Sequence, residues 1–180
     1  MSHRTSALAA ALSLLSLGQP LLLGSTTTLA TGAVLLSAHK AHAQSASDYV
    51  NRGIENGKSG NFKGAIADFT KAIEIDPKDF LAYYNRGVAK EKLGDYQGAI
   101  TDLNKALEID PQDAGAYYSR GIVKINLDNT EGAIADFTKA IEIDPLYAKA
   151  YLDRGITKFD SGDHQGAIVD FTKAIAINPQ

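Results

Sequence analysis

One interval, 34 residues, organises most of this chain. Prolines stand at Pro77, Pro111, Pro145 and Pro179. Arg-Gly pairs stand at Arg52-Gly53, Arg86-Gly87, Arg120-Gly121 and Arg154-Gly155. Gly-Ala-Ile recurs from Gly64, Gly98, Gly132 and Gly166, and four residues later come Asp68, Asp102, Asp136 and Asp170, each followed by Phe69, Leu103, Phe137 or Phe171. Four copies in register exclude coincidence of composition. A unit repeated at such a period cannot bury its apolar face alone, so the copies must stack and share a continuous core.

Each copy divides into two amphipathic segments. In the second copy the apolar spacing predicts helices over Leu81 to Leu93 and Tyr96 to Ile109. Gly94 stops the first helix through the left-handed conformation, Asp95 caps the next, and Asp110-Pro111 closes it. Gly60-Asn61 and Gly162-Asp163 repeat that turn; the third copy has Asp128-Asn129, and a slightly less stable turn is expected there. Helices this short are marginal alone in water. Ala65, Phe69 and Ala72 share one face at helical spacing, a small residue admitting a partner helix and a large one filling the gap. Gly53, Gly87, Gly121 and Gly155 fall inside first helices, where each costs about 1 kcal/mol against alanine. Four repetitions of that cost point to close helix–helix contact.

These residues resemble the tetratricopeptide repeat family: in the second copy its pattern reads Tyr83, Gly87, Ala99, Leu103, Ala106 and Pro111. The resemblance covers Ala46 to Gln180 and implies an all-α, right-handed superhelical solenoid of four helix-turn-helix repeats, spanning 46–79, 80–113, 114–147 and 148–180. One departure runs through every copy. Arg52, Arg86, Arg120 and Arg154 occupy a place that is often leucine in the family. Identical repetition favours architecture over ligand binding, and an ion pair of each Arg with Asp68, Asp102, Asp136 or Asp170 is expected.

The resemblance also implies that first helices line a concave surface. By register that surface is Val50, Asn51 and Ile54; Tyr84, Asn85 and Val88; Tyr118, Ser119, Ile122 and Ile125; then Leu152, Asp153, Ile156 and Phe159. An apolar groove dotted with Asn suits a peptide, since apolar groups supply area and a carboxamide bonds backbone through both donor and acceptor. Some family members grip a partner's terminal carboxylate here. Asn51 and Asn85 match two such places, but Ser47, Gly115 and Ser119 stand where cations are needed, and Lys149 falls beside Asp153. That clamp is therefore not expected. A second candidate surface is the outer face of the last helix, with Ile168 and Ile175 exposed for a partner or for self-association.

The first 43 residues are a different substance. Arg4 precedes an uncharged stretch from Ser6 to Ala38, rich in Leu, Ala, Ser and Thr, and Ala41-His42-Ala43 follows shortly after it, just past Lys40. Positive, apolar and Ala-x-Ala is the order of a secretory signal, with cleavage expected after Ala43. Its length exceeds the roughly 15–30 residues typical of such signals, and the rival reading is an uncleaved membrane anchor. An exported protein is expected, in a periplasm, an internal lumen or the medium.

Chemistry is sparse. There is no cysteine, which excludes disulfides and thiol catalysis. His164 is the one histidine after the N-terminal segment, with no second ligand nearby in sequence. Gly57-Lys58-Ser59 lacks the earlier glycine of a phosphate loop, and Asp76-Pro77-Lys78-Asp79 lacks calcium-loop spacing. Beyond residue 43 the chain holds 16 basic and 21 acidic side chains, a balance that repels nucleic acid. The expectation is a non-enzymatic scaffold or assembly factor without cofactors, binding a protein or peptide. The alternative is a homo-oligomer built through the last repeat.

Overall fold

The computed structural model describes residues 44–179. The expected signal sequence and its cleavage point lie outside the described residues. Eight helices follow one another: α1 (Ala46–Lys58), α2 (Phe62–Ile75), α3 (Phe80–Lys92), α4 (Tyr96–Ile109), α5 (Ala114–Ile125), α6 (Thr130–Ile143), α7 (Ala148–Asp160) and α8 (His164–Ile177). Each odd-numbered helix packs against the even-numbered one that follows it, and each pair packs on the next. No strand occurs among the described residues, and no described helix is long and apolar enough to cross a membrane.

The turns behave as their residues demand. Gly60, Gly94 and Gly162 take positive φ of 80°, 80° and 91°. In the third copy it is Asp128, at φ 55°, that enters the left-handed region, while Asn129 accepts a hydrogen bond from the Gly132 amide. The tolerance expected of an asparagine is thus asked of an aspartate, and Asn129 serves as the cap. Side chains of Ser45, Asn61, Asp79, Asp95, Asp113 and Asp163 cap the other helices, with α7 the exception. There Tyr147 stands where Asp79 and Asp113 stand in earlier copies, and its side chain makes no cap.

The core runs through the stack. Ala65, Phe69 and Ala72 of the first repeat form one cluster with Ala82 and Ala89 of the second. Leu103 joins Val123 across the next junction, and Ile141 joins Ala150 across the last. Burying a side chain the size of Phe69 contributes about 1.5–3 kcal/mol. The helical glycines make this possible. A Cβ on Gly53 would lie 2.6 Å from the Phe69 ring, and one on Gly121 would lie 2.6 Å from Phe137. Val50, expected in the groove, is instead core at 4 % exposure. It turns inward because the Phe69 cluster needs an apolar partner from α1.

An ion pair joins the two helices of each repeat, and in the three later repeats the same arginine also reaches back to the repeat before it. Arg86 Nε and Nη2 donate to both oxygens of Asp102 at 2.8 and 2.7 Å, and Nη1 donates to Thr70 Oγ1 of the preceding repeat at 3.1 Å. Arg120 binds Asp136 and reaches back to Asn104; Arg154 binds Asp170 and reaches back to Thr138. Arg52 forks onto Asp68 and turns its third nitrogen to Gln44. The expected pairing therefore forms in all four copies. Lys90, Lys124 and Lys158 add a second cation to each later carboxylate, and Asn56 takes that place in the first copy. Tyr49, Tyr83, Tyr117 and Tyr151 lie against the four guanidinium planes, 4.9–5.6 Å away. These largely buried carboxylates are tolerated because both oxygens of each face charged or amide donors.

Candidate functional site

First helices of successive repeats meet directly, α1 with α3 and α3 with α5. Their free sides form the inner surface of the stack. Two depressions open on it. One, of about 260 Å³, lies between α3 and α5 and is lined by Tyr84, Val88, Tyr118, Ser119 and Ile122, with Leu103 and Val123 behind. The other, of about 290 Å³, lies between α1 and α3 and is lined by Ile54, Gly57, Phe62, Asn85 and Val88. Val88 and Lys92 border both, so the two adjoin as one trough, apolar at Val88 and charged at Lys92.

The trough carries polar groups in fixed positions. Ser119 Oγ donates to Tyr84 Oη at 3.3 Å, and Tyr118 Oη donates to Asp153 Oδ2 at 2.7 Å. Burial, then the hydrogen bond to Asp153, pushes the Tyr118 phenol above its ordinary value, so it stays a neutral donor. Tyr147, where the missing cap would be, places its ring 5.0 Å from that of Tyr118. Burial, with nearby carboxylates adding to it, raises its phenol to about 12. Asn85 gives its amide nitrogen to Leu81 O at 2.8 Å, and its carboxamide oxygen accepts nothing from the described residues.

Of the residues read from sequence, Tyr84, Val88, Tyr118, Ser119 and Ile122 meet in the first depression, and Ile54 and Asn85 in the second. Asn51 is exposed outside both. Leu152, Ile156 and Phe159 are exposed along α7, with Phe159 resting against the His164 ring at 4.9 Å, and Asp153 joins the trough only through Tyr118. On α8, Ile168 and Ile175 are 57 % and 64 % exposed.

Sequence reading missed Lys58, Glu91 and Lys92, which rim the depressions, and Tyr147, whose ring packs against Tyr118. The signal existed. Lys58 and Lys92 share a register at the ends of first helices, and Tyr147 breaks a run of capping aspartates. No group of three or more His, Cys, Asp or Glu able to hold a metal occurs among the described residues.

Comparison with known proteins agrees with this architecture. Family patterns described as "Tetratricopeptide repeat" match residues 80–113, and residues 114–145 with 148–180; one described as "TPR repeat" matches residues 58–94. A crystal structure of MamA protein is similar at 30% identity and TM-score 0.69, over 74% of this chain and 73% of that one. MamA 41-end from Desulfovibrio magneticus RS-1 is similar at 27% identity and TM-score 0.70, over 74% and 76%. The first TPR of Spaghetti (RPAP3), bound to the HSP90 peptide SRMEEVD, is similar at 25% identity and TM-score 0.64, over 66% of this chain and 94% of that one. No curated protein sequence matches the chain. With four copies of the motif, eight paired helices and these structural relatives, the chain belongs to the tetratricopeptide repeat family.

Proposed function

We propose that this protein is an exported scaffold or assembly factor that holds an extended peptide or protein segment along its inner trough. The observation that carries the reading is the pair of adjoining, largely apolar depressions on either side of Val88, with the Tyr84 and Ser119 hydroxyls and the Asn85 carboxamide oxygen set among them. Apolar side chains two residues apart in an extended segment would enter the two depressions, and the peptide backbone would meet the polar groups between. The peptide complex of the RPAP3 repeat domain supports peptide holding as a use of this fold. Here the ligand's chemistry would be apolar, because Ser47, Gly115 and Ser119 stand at the places a carboxylate clamp fills with cations.

The test is capture from extracts of the exported compartment by residues 44–180, beside a Val88→Lys, Ile122→Lys variant. Both side chains are only half-buried, so the variant retains the core. A partner held by the original and lost by the variant supports the trough. A partner held equally by both removes it. N-terminal sequencing of the native protein tests export separately: the reading requires a chain that begins at Gln44.

A further inference from the structure

The two ends of the helix stack are built differently. In the later first helices, Ala82, Ala116 and Ala150 are fully buried against the preceding repeat, as are Ala89, Val123 and Thr157 to within a few per cent. At the same registers α1 carries Asp48 and Glu55, both exposed. Ala82 and Ala89 belong to the cluster of Phe69 and Ala72. A second copy placed with its α1 on α8 would therefore press Asp48 and Glu55 onto Phe171 and Ala174. Burying two carboxylates among apolar groups opposes that contact strongly, so α1 closes its end against further stacking.

α8 departs in the opposite direction. Val169 replaces Ala67, Thr101 and Ala135, and Ala176 replaces Glu74, Glu108 and Glu142, all of them exposed in their own repeats. Those glutamates pair with Lys71, Lys105 and Lys139 at 2.6–3.0 Å, whereas Lys173 has no salt-bridge partner among the described residues. The last copy has thus become more apolar at places the stacking of repeats never covers. The resulting stripe is symmetric about Thr172: Val169 and Ile175 lie three residues to either side, Ile168 and Ala176 four. When two such helices run antiparallel about a two-fold axis at Thr172, Ile168 of one meets Ala176 of the other, and Val169 meets Ile175. Large faces small, no charge lies in the seam, and the same patch serves both partners.

We propose that α8 is a self-complementary interface through which two copies form a closed, two-fold dimer, and that Asp48 and Glu55 prevent growth into a filament. This goes beyond the trough reading and does not use its residues. Residues 44–180 hold all eight helices and every core cluster, so they serve for the test. A single helix-pair contact is small, so the dimer should be weak, forming as concentration rises from about 1 μM to about 500 μM. Sedimentation equilibrium is expected to show the mass doubling and stopping there. Ile168→Glu with Ile175→Glu, both at exposed sites, should stay monomeric with unchanged helical signal. Thr172→Cys, introduced into a chain without cysteine, should oxidise to a covalent dimer, while Glu55→Cys should not. A monomer throughout, growth beyond two copies, or a double variant that dimerises like the original would overturn the proposal.

Discussion

Arg86 and Asp102 meet through two parallel hydrogen bonds across a side-chain environment only 16 % and 3 % exposed, and Lys90 Nζ closes on the same carboxylate at 2.7 Å. Removing the carboxylate charge leaves two cations facing a neutral amide. Asp102→Asn is therefore expected to lower unfolding free energy by about 3–5 kcal/mol. Asp68→Asn should cost less than half as much, since Arg52 is 49 % exposed and has no preceding repeat among the described residues to bind. Urea titration of both variants checks the order. A reciprocal exchange, Arg86→Asp with Asp102→Arg, should not restore stability, because the new Arg would face Lys90.

Two glycines of α1 should respond with opposite sign. At Gly57 an added Cβ meets nothing within 4 Å, so Gly57→Ala should raise stability by about 0.5–1 kcal/mol through helix propensity. At Gly53 the same methyl collides with the Phe69 ring, which is 2 % exposed and cannot yield. Gly53→Ala should lower stability by about 1–3 kcal/mol. Thermal unfolding of the pair separates propensity from packing.

Asp128 occupies the left-handed conformation that glycine takes in the other three copies. Asp128→Gly should relieve that strain, offset in part by greater freedom of the unfolded chain, for a net gain of about 0.5 kcal/mol. A fall in the unfolding midpoint would contradict this account of the turn.

Acid should loosen each repeat through the carboxylates that join its two helices. The Arg52 guanidinium holds the Asp68 carboxyl below its ordinary value. At Asp170, burial pushes upward, but the hydrogen bonds from Arg154 and Lys158 outweigh it and the carboxyl again ends below the usual range. A group whose folded value is depressed stabilises the fold above its unfolded value and loses that contribution as pH falls through the folded one. Stability is therefore expected to be level from pH 7 to about 5 and to fall below about 4. Asp170→Asn should start lower and show a shallower fall.

Most of the fold was legible because the repeat compares the chain with itself. Proline, glycine and alanine at fixed intervals carry backbone and packing constraints that few other residues meet, so helix limits and the stacking order followed, and the Arg–Asp spacing of 16 residues placed the ion pairs. The trough was legible only in part. Val50 and Tyr84 share one register, yet Val50 completes the first core while Tyr84 lines a depression, because burial depends on the neighbouring repeat and not on register. Lys58 and Lys92 line the trough from the ends of α1 and α3, and Tyr147 bears on it only through its ring contact with Tyr118, contacts between elements that spacing along one helix does not reveal.

Hydrogen exchange of residues 44–180, alone and with its captured partner, tests the central claim most directly. The trough reading predicts slowed exchange in α3 and α5 around Val88 and Ser119, with α4 and α6 unchanged. Slowing confined to α8, or to the outward faces of the even-numbered helices, would contradict it.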